Sequence, residues 1–381
     1  MKRILILGGG LQGLSCGESL SNKKNYSVAA VSCGLDIIHS RLFDKVYQIK
    51  DLGYEETLRK IFGDAHYDVI IPMGDNAASF LSKQKSEIEK QYETKCAVAD
   101  FRSLSIVEDK ASFMKFCREN GFPHPKTTKL SSKNLESAAK EIGFPALIKP
   151  DFSVGARGIT RVGSLEELQQ QYPAISEKYG SCTLQEFIDN PDYYYNVMLY
   201  RDKNGDMSHY AITKIVRMYP VKAGSSSCCY TIENRELLEI CRNVLEKLEW
   251  VGMADFDVLQ RLDTKEYKII EINPRVPASL RAAYVSGVNF PEIIVCDALG
   301  IQSNKQTYTP GMTLRYLGID LMWLMKSPKR FRKILSWLHF FGRKVFYQDI
   351  IWSDPSTWYS WLVVGMKKIG RRNRVIRTRQ L

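Results

Sequence analysis

The chain has 381 residues, enough for two or three domains with cores of their own. Apolar and charged residues make up 44% and 25% of it, as in water-soluble globular proteins, and no apolar run reaches the ~20 residues of a membrane-spanning helix. The nine cysteines show no C-x-x-C spacing and the five histidines are dispersed, which argues against a disulfide framework and a zinc site. No signal peptide follows Met1, so we expect a cytoplasmic protein with reduced thiols.

The net charge of +12 is concentrated at one end of the chain. Residues 326–381 hold fourteen lysines and arginines but only two acids, Asp349 and Asp354, so the remainder of the chain is neutral overall. Four of the six tryptophans lie in the C-terminal part: Trp337, Trp352, Trp358 and Trp361. The excess of positive charge therefore lies in one segment and does not by itself predict a nucleic-acid-binding protein.

Residues 321–381 form a basic, tryptophan-rich C-terminal extension for which two interpretations remain. Tryptophan beside lysine and arginine is typical of segments that lie on an anionic membrane surface, so residues 326–381 could place the protein at the inner face of the membrane. The alternative is a helical appendage packed on the core, followed by a disordered basic end from Lys367. No nucleic-acid-binding motif is visible, so nucleic acid is not favoured as a partner.

Strands and helices alternate along residues 1–107. Strands are predicted at residues 3–7, 28–31, 46–49, 68–72 and 96–99, and helices follow the glycine turn at residue 8 and occupy residues 54–62 and 82–94. This alternation predicts a doubly wound, Rossmann-like α/β domain. Loops at the carboxyl ends of such strands face the ligand, so Asp75 and Asn76 are candidate substrate contacts, with a helix N-cap as the alternative.

The glycine turn after the first strand has two interpretations. Residues 8–13 read G-G-G-L-Q-G and match G-x-G-x-x-G between a strand and a helix. NAD(P) binding by this motif needs an acid at the end of the second strand, but that strand is followed by Cys33 and Gly34, and the first acid is Asp36. We therefore favour a tight packing turn, or a helix start that faces an anion, over an NAD(P) site.

Two lysines in residues 108–188 are candidate phosphate ligands. Lys110 opens a helix, and Lys149 lies in the apolar strand predicted at residues 146–150. A lysine buried in a strand is costly without an anion beside it, although a lysine that extends its charged end to water is the alternative. The loop at residues 153–159 follows at once and carries Gly155 and Gly158, which let backbone N–H groups approach phosphates closely.

The functional interpretation depends most on one short strand. Residues 268–277 read K-I-I-E-I-N-P-R-V-P, so Glu271 and Asn273 leave the strand on the same face and Arg275 follows directly. Asp257, in the strand-like run at residues 252–259, is a third oxygen ligand if the two runs pair as a hairpin. Oxygen ligands beside a fixed cation suit hard Mg²⁺ ions that bridge phosphates. An ordinary edge strand that faces water is the alternative.

In chain order these pieces resemble the ATP-grasp superfamily of carboxylate–amine ligases. The resemblance rests on the glycine-turn domain, Lys110, Lys149 before a glycine loop, the Q-E-F-I run at residues 185–188, and the D…E-x-N-P-R pattern that ends at Arg275. A basic stretch at residues 214–227, predicted as a loop ending in G-S-S-S, is most similar to the carbamoyl-phosphate-synthetase-type branch, which includes D-aspartate ligase-like enzymes.

The resemblance covers roughly residues 1–320 and implies a division of the chain. The Rossmann-like domain at residues 1–107 would be followed by an ATP-grasp fold of α+β character. Its small lid part would span residues 108–188, and its large, metal-binding part would span residues 189–320. Residues 321–381 lie beyond the usual core of the superfamily.

The resemblance implies a nucleotide site with phosphate, adenine and ribose contacts. Lys110 and Lys149 would hold the phosphates of ATP, and Asp192 would bind the ribose hydroxyls, with Asp189 as the competing residue. The other cofactor-binding candidates lie in the glycine loop and in the hinge against the adenine: Ser153, Gly155, Gly158, Gln185, Glu186, Phe187 and Ile188.

The resemblance also implies metal ligands and catalytic cations. Three side chains would hold two Mg²⁺ ions, with Mn²⁺ as an alternative metal: Asp257, Glu271 and Asn273. Three cations would face the transferred phosphoryl group or the substrate carboxylate: Arg275, Lys214 and Arg217. Together with Lys222 and Arg281, these arginines hint at an anionic acyl substrate such as an amino acid.

These parts imply ATP-dependent joining of a small-molecule carboxylate to an amine. ATP converts the carboxylate into an acyl phosphate, and the amine then displaces phosphate, so that ADP and phosphate are the products. This chemistry needs no enzyme nucleophile, and the sequence shows no Ser/His/Asp or Cys/His constellation. The competing hypotheses are an NAD(P)-binding oxidoreductase that uses the glycine turn and a non-catalytic nucleotide-binding protein.

Overall fold

The computed structural model describes residues 1–32, 37–49, 52–151, 158–190, 192–221, 224–304 and 306–357. Several predicted features lie outside the described residues. They are Ser153 and Gly155 of the glycine loop, Asp36, Lys222, and the chain beyond Thr357 with Trp358 and Trp361.

Five parallel strands form the sheet of the N-terminal part: β1 (Lys2–Leu7), β2 (Tyr26–Ser32), β3 (Lys45–Gln48), β4 (Val69–Pro72) and β5 (Lys95–Cys96). Their order is β3-β2-β1-β4-β5. The helices between and after them are α1 (Gly10–Ser21), α2 (Tyr54–Asp64), α3 (Asp75–Lys83), α4 (Lys85–Tyr92) and α5 (Phe101–Glu108). The helix predicted at residues 82–94 is thus two helices, and the first begins earlier because Ala77, Ala78 and Leu81 give it an apolar face that packs in the core.

The glycine turn between β1 and α1 is a close-packing point. A Cβ atom at Gly8, whose φ is +132°, would lie 2.9 Å from the Cβ atom of Met73, and one at Gly17 would lie 2.7 Å from the ring of Phe43. Both glycines therefore let neighbouring elements approach more closely than a side chain permits. This geometry supports the packing interpretation of the motif.

A second, antiparallel sheet follows, with strands β6 (Thr127–Lys129), β7 (Ala146–Pro150), β8 (Thr160–Val162) and β9 (Cys182–Glu186) in the order β6-β9-β7-β8. The helices of this part are α6 (Lys110–Glu119), α7 (Leu135–Ile142) and α8 (Leu165–Tyr179). The apolar faces of α7 and α8, including Ile142 and Leu168, pack with Ile148 of β7 and Leu184 of β9 in one core. Burial of these apolar faces holds the two helices against the sheet that contains Lys149.

The third sheet has seven strands: β10 (Tyr194–Arg201), β11 (Tyr210–Tyr219), β12 (Ser225–Ile232), β13 (Gly252–Gln260), β14 (Tyr267–Asn273), β15 (Thr313–Arg315) and β16 (Val345–Tyr347). They lie in the order β14-β13-β10-β11-β12-β15-β16, and only the β15–β16 pair is parallel. Its helices are α9 (Arg235–Lys247), α10 (Leu280–Val285), α11 (Phe290–Ala298), α12 (Leu317–Lys326) and α13 (Ile334–Trp337). Buried side chains of β1 and β10, such as Leu5 and Val197, belong to one continuous core.

The loop predicted at residues 214–227 is largely strand. Lys214 pairs with Tyr230, and Tyr219 pairs with Ser225, so β11 and β12 are joined by a short turn. The prediction relied on the charges and on the glycine–serine run. It was wrong because the arginine of this stretch, Arg217, is buried, and because the serines precede two buried cysteines, Cys228 and Cys229.

A buried ion network fixes α12 on the large sheet. The carboxylate of Asp320 accepts hydrogen bonds from Nε of Arg217 at 2.8 Å and from Nη2 of Arg315 at 2.7 Å, and all three side chains are 1% exposed. Ser227 donates to the same carboxylate at 3.3 Å. Further along, Asp354 accepts from the hydroxyl of Ser40 at 2.6 Å. The described part of the extension, residues 321–357, therefore packs on the core.

Replacement of Asp320 by asparagine tests this network. The variant leaves two buried guanidinium groups without a counter-charge, so we expect the free energy of unfolding to fall by about 3–5 kcal/mol. Urea unfolding followed by tryptophan fluorescence measures the loss, since Arg217 lies 5.6 Å from the ring of Trp323. The control is Glu55→Gln, which breaks an exposed pair with Arg59 and should cost less than about 0.5 kcal/mol. Equal stability of the two variants would contradict the assignment.

Candidate active site

The β13–β14 hairpin brings the predicted metal ligands together. Asp257 lies opposite Glu271, and Asp255 lies opposite Asn273 in the antiparallel register, which confirms the predicted pairing of the two runs. Residues opposite each other, and residues two apart on one strand, share a face of the sheet. The hairpin therefore presents three carboxyl groups and one carboxamide on a single face.

Burial and mutual repulsion control the charge of Asp257. Removal from water, then the neighbouring charges of Glu271 and Asp255, raise the pKa of Asp257 well above its usual range. Glu271 lies opposite Asp257 across the hairpin, and the amide of Asn196 on β10 donates to Oδ1 of Asp257. A desolvated acid beside a second carboxyl group needs a proton or a cation close to it.

Asp255 belongs to the same face and was missed in the sequence reasoning. Its side chain is 2% exposed, its Oδ2 accepts from Nδ2 of Asn273 at 3.2 Å, and its Oδ1 has no hydrogen-bond partner among the described residues. Burial raises the pKa of Asp255 to about 7, and the charge of Arg275 opposes that rise. The D-F-D spacing on β13 was the available signal, because it places both aspartates on one face.

Arg275 connects the hairpin to the N-terminal part of the chain. Its Nη2 donates to Oδ1 of Asn273 at 3.2 Å, and its Nε donates to Oδ1 of Asp75 at 3.0 Å. Asp75 is the first residue of α3, just after β4, and its carboxylate pairs with this arginine. The candidate substrate contact at the carboxyl end of β4 therefore lies beside the candidate metal site.

Lys149 meets the same carboxylates from the second sheet. The side chain is 7% exposed, and Nζ donates to Oε1 of Gln185 at 2.5 Å. Burial lowers the pKa of Lys149 to about 8, the charges of Glu271 and Asp257 raise it, and that of Lys110 lowers it. Nζ of Lys110 lies 3.5 Å from the carbonyl oxygen of Asp151. Lys149 thus lies within electrostatic range of the hairpin carboxylates, and Lys110 lies within range of Lys149.

The predicted hinge residues lie together at the end of β9. Gln185 accepts from Lys149 and donates to Oγ1 of Thr127 at 3.0 Å, while the carboxylate of Glu186 accepts from Arg261. The guanidinium of Arg161 lies 4.5 Å from the centre of the Phe187 ring, and Ile188 is buried. The side chains of Gln185 and Glu186 are therefore held by the protein itself.

Asp192 lies beyond the hinge and touches the C-terminal extension. Its backbone has a positive φ of 55°, and its carboxylate forms an ion pair with Lys329. Lys329 lies between α12 and α13, so the extension reaches the place where the ribose was expected. Binding of ribose by Asp192 would have to open or share this exposed pair.

Two of the predicted catalytic cations, Lys214 and Arg217, do not lie beside the carboxylates of the hairpin. Lys214 lies opposite Tyr195 on β10, whereas Asn196, the partner of Asp257, lies opposite Thr213. Adjacent residues of a strand point to opposite faces, so Lys214 leaves the other face of the sheet, where Nζ lies 3.6 Å from the centre of the Tyr193 ring.

Arg217 is occupied elsewhere, because its guanidinium is committed to Asp320. Arg281 is likewise taken, since both its Nε and its Nη2 donate to Glu18 at 2.7 Å. Of the three predicted catalytic cations, the structure places Arg275 beside the hairpin. Charge in a sequence does not tell a structural ion pair, such as those of Arg217 and Arg281, from a site cation.

The oxygen set of the hairpin suits a hard divalent cation. In the part of the chain that the structure describes, no group of three or more histidine, cysteine, aspartate or glutamate residues is arranged as a metal site. The combination of Asp257, Glu271 and the amide oxygen of Asn273 is a mixed carboxylate–amide set, which favours Mg²⁺ or Mn²⁺ over softer metals. The raised pKa of Asp257, beside the carboxyl group of Glu271, fits such a cation.

A family model for the ATP-grasp domain matches residues 107–279, which carry both lysines, the hinge and the hairpin. These residues form an ATP-grasp domain. The domain is homologous to D-aspartate ligase of Enterococcus faecium, with 23% identity over 270 residues, and to the carbamoyl phosphate synthase large chain of Sulfolobus acidocaldarius, with 25% identity over 307 residues.

The chain spans 64% of the length of that D-aspartate ligase and 28% of that carbamoyl phosphate synthase large chain. These alignments cover 65% and 73% of the present chain. The homology therefore establishes the domain, while the activity of the whole protein requires an argument from the site.

Solved structures share the fold of most of this chain. Biotin carboxylase of Campylobacter jejuni aligns with a TM-score of 0.67 at 17% identity, covering 82% of this chain and 74% of that one. N5-carboxyaminoimidazole synthetase of Staphylococcus aureus, solved with ADP, aligns with a TM-score of 0.66 at 15% identity, covering 81% and 80%. At such identities the likeness establishes the fold and not the substrates.

The depressed pKa of Lys149 predicts a pH dependence of stability. A folded-state pKa of about 8, below the ordinary value of 10.5, means that the folded chain binds fewer protons than the unfolded chain between these two pH values. The wild-type protein should therefore gain stability relative to Lys149→Met as the pH rises through this window, by at most about 1.4 kcal/mol per pH unit.

Thermal unfolding of both proteins between about pH 7.5 and pH 10 measures the difference. The variant Lys140→Met, at an exposed position on α7, is the control for loss of a lysine. A difference between wild type and Lys149→Met that stays flat, or that falls as the pH rises, would show that Lys149 is not a buried and desolvated ammonium group.

Proposed function

We propose that the protein is an ATP-dependent ligase that activates a carboxylate as an acyl phosphate and joins it to an amine. The observation that carries the proposal is that buried Lys149 lies within electrostatic range of Asp257 and Glu271, which pair across the hairpin of another sheet. A desolvated cation near a desolvated acid is the arrangement that polyphosphate and divalent metal together require, because each charge then has a counter-charge. Homology to D-aspartate ligase supports the same reaction class.

The nucleotide site extends from the lysines to the hinge. Lys110 and Lys149 would hold the phosphates, with Gly158 and the loop residues Ser153 and Gly155 as further contacts. Adenine would lie against the hinge at residues 185–188, and Asp192 would reach the ribose. The side chains of Gln185 and Glu186 are already hydrogen-bonded to protein groups. The backbone groups of Glu186 and Ile188 would therefore form the hydrogen bonds to the edge of the adenine.

Asp257, Glu271 and Asn273 would hold the metal, and we propose two Mg²⁺ ions. When bound, the ions neutralise charge on the transferring phosphoryl group and orient it. Burial and the neighbouring charges of Glu271 and Asp255 raise the pKa of Asp257, and a bound cation would oppose that rise. Asn196 orients Asp257 from β10 by its hydrogen bond.

The reaction has two balanced steps. A carboxylate oxygen of the substrate bonds to the γ-phosphorus as the bond to ADP breaks, and the amine nitrogen then bonds to the acyl carbon as phosphate leaves with the bonding electrons. The cation that lies at the site, Arg275, is held by Asp75 and Asn273 and can neutralise the substrate carboxylate or the developing charge. The proton that the amine loses must pass to a base or to solvent.

The N-terminal part is proposed as a Rossmann-like substrate-presenting domain. The parallel strand order β3-β2-β1-β4-β5 supports this interpretation, as does Asp75 at the carboxyl end of β4. An acidic residue beside Arg275 gives the site one group for an ammonium and one for a carboxylate, which fits an amino acid as one of the substrates. The domain limits at residues 107, 188 and 320 remain part of this proposal.

Screening of amino acids in acid–amine pairs with ATP and Mg²⁺ tests the proposed reaction. We expect ADP and phosphate to form in amounts equal to the amide product, because the carboxylate attacks the γ-phosphoryl group. AMP as the product would exclude the acyl phosphate route. Thermal stabilisation by NADH and none by MgATP would instead favour the oxidoreductase hypothesis.

The variant Glu271→Gln is expected to lose turnover by more than about a hundredfold while ATP still binds, since it removes a metal ligand and leaves the hinge unchanged. The matched control is Glu266→Gln, a more exposed glutamate just before β14. Both variants are assayed for turnover and for ATP binding by calorimetry. Near-normal ligation by Glu271→Gln would contradict the metal assignment.

A further inference from the structure

Residues 321–344 expose an unusual concentration of large apolar side chains. Six of the thirteen exposed large apolar side chains of the described residues lie in this short segment: Leu321, Met325, Phe331, Leu335, Leu338 and Phe341. The exposed fractions reach 77% for Phe331, 83% for Leu335 and 90% for Phe341. We call these six side chains the apolar face. Scattered apolar residues are normal on a protein surface, but a contiguous group in one segment indicates a binding surface.

The apolar face belongs to a segment that is firmly packed on its other side. Trp323 is 4% exposed, and Asp320 is held by two arginines. The indole of Trp337 donates to the carbonyl oxygen of Asp320 at 3.3 Å, and Phe340 packs against that ring at 4.8 Å between centroids. Helix α12 therefore has a buried side, and the contacts of Trp337 and Phe340 hold the partly buried residues that follow it.

Residues 321–344 contain no acid, and one of their bases, Lys329, forms an ion pair with Asp192 outside the segment. Residues 321–344 contain seven lysines and arginines: Lys326, Lys329, Arg330, Arg332, Lys333, Arg343 and Lys344. The two acids that follow before residue 357 are buried. Asp349 accepts from the backbone N–H of Leu317 at 3.2 Å, and Asp354 accepts from that of Arg41 at 3.0 Å. Neither acid is available to offset the surrounding positive charge.

We propose that residues 321–344 form a docking surface for an anionic lipid bilayer, with the apolar face inserted at the headgroup level and the bases on the lipid phosphates and carboxylates. Apolar insertion and electrostatic attraction act together in such segments, and each base near an anionic leaflet contributes about 1 kcal/mol. No helix of the described residues has both the length and the apolar character to cross a bilayer, so the segment lies along the surface.

The positive charge of residues 321–344 and their apolar side chains together favour lipid over the other occupants of this surface. A second copy of the chain would bring seven bases against seven bases, which repel. A nucleic acid would use the bases but would leave Leu335 and Phe341 without an apolar environment. An anionic bilayer satisfies both groups at once. The proposal does not depend on the ligase reaction, because Lys149, Asp257 and Glu271 lie outside the segment.

Sedimentation of the full-length protein with lipid vesicles tests the proposal. Vesicles of phosphatidylcholine with about one third phosphatidylserine should sediment the protein at low salt, and vesicles of phosphatidylcholine alone should sediment far less. The variant Phe331→Ser/Leu335→Ser/Phe341→Ser should bind the anionic vesicles at least about tenfold more weakly. Its thermal unfolding should match that of the wild type, since these side chains are exposed.

The matched control is Leu262→Ser/Ile301→Ser, which removes two exposed apolar side chains elsewhere on the surface, with exposures of 45% and 49%, and should bind the vesicles like the wild type. Absence of binding to anionic vesicles at low salt would overturn the proposal. Unchanged binding by the triple variant would overturn it too, because the basic residues beyond 357 would then account for the attraction. Dimers that the triple variant abolishes, without lipid binding, would assign the surface to a second copy.

Discussion

The candidate site depends on one electrostatic constraint, the burial of opposite charges that face each other across two sheets. Lys149 on β7 and Asp257 on β13 are both desolvated, and neither charge is stable there alone. The depressed pKa of the lysine and the raised pKa of the aspartate are two consequences of the same burial. Such a cluster is stabilised most when a polyphosphate and a divalent metal bind together, because each buried charge then has a counter-charge beside it.

Strand register places the charged side chains of the site on one face of the sheet. The antiparallel pairing of β13 with β14 sets Asp257 opposite Glu271, and the pairing of β10 with β13 adds Asn196 to the same row. A shift of one residue in either pair would turn the carboxylates to the opposite face. The buried Asp320 network has a different role, since it fixes α12 on the sheet. The exposed apolar side chains of residues 321–344 lie on and after this helix.

Local patterns allowed much of the site to be predicted. Lys149 in an apolar strand and the E-x-N-P-R run are short-range signals, and the structure confirms that the two runs pair as a hairpin. The contact between Asp75 and Arg275 joins residues 200 positions apart, and no pattern in either segment indicates the other. The assignment of Arg217 failed for the same reason, because its partner Asp320 is 103 positions away. The first three residues of β12, at positions 225–227, were predicted as the end of a loop because they are serines that follow a glycine.

The most direct test of the account is uptake of Mn²⁺ by the protein in the presence of a non-hydrolysable ATP analogue, followed by electron paramagnetic resonance. Mn²⁺ accepts the same oxygen ligands as Mg²⁺, and the signal of the free ion decreases when it is bound. Compared with the analogue alone, the wild-type protein should lower the free Mn²⁺ signal much further, and Asp257→Asn/Glu271→Gln should lower it little. Equal Mn²⁺ uptake by the wild type and by the double variant would contradict the central claim that the hairpin carboxylates hold the metal.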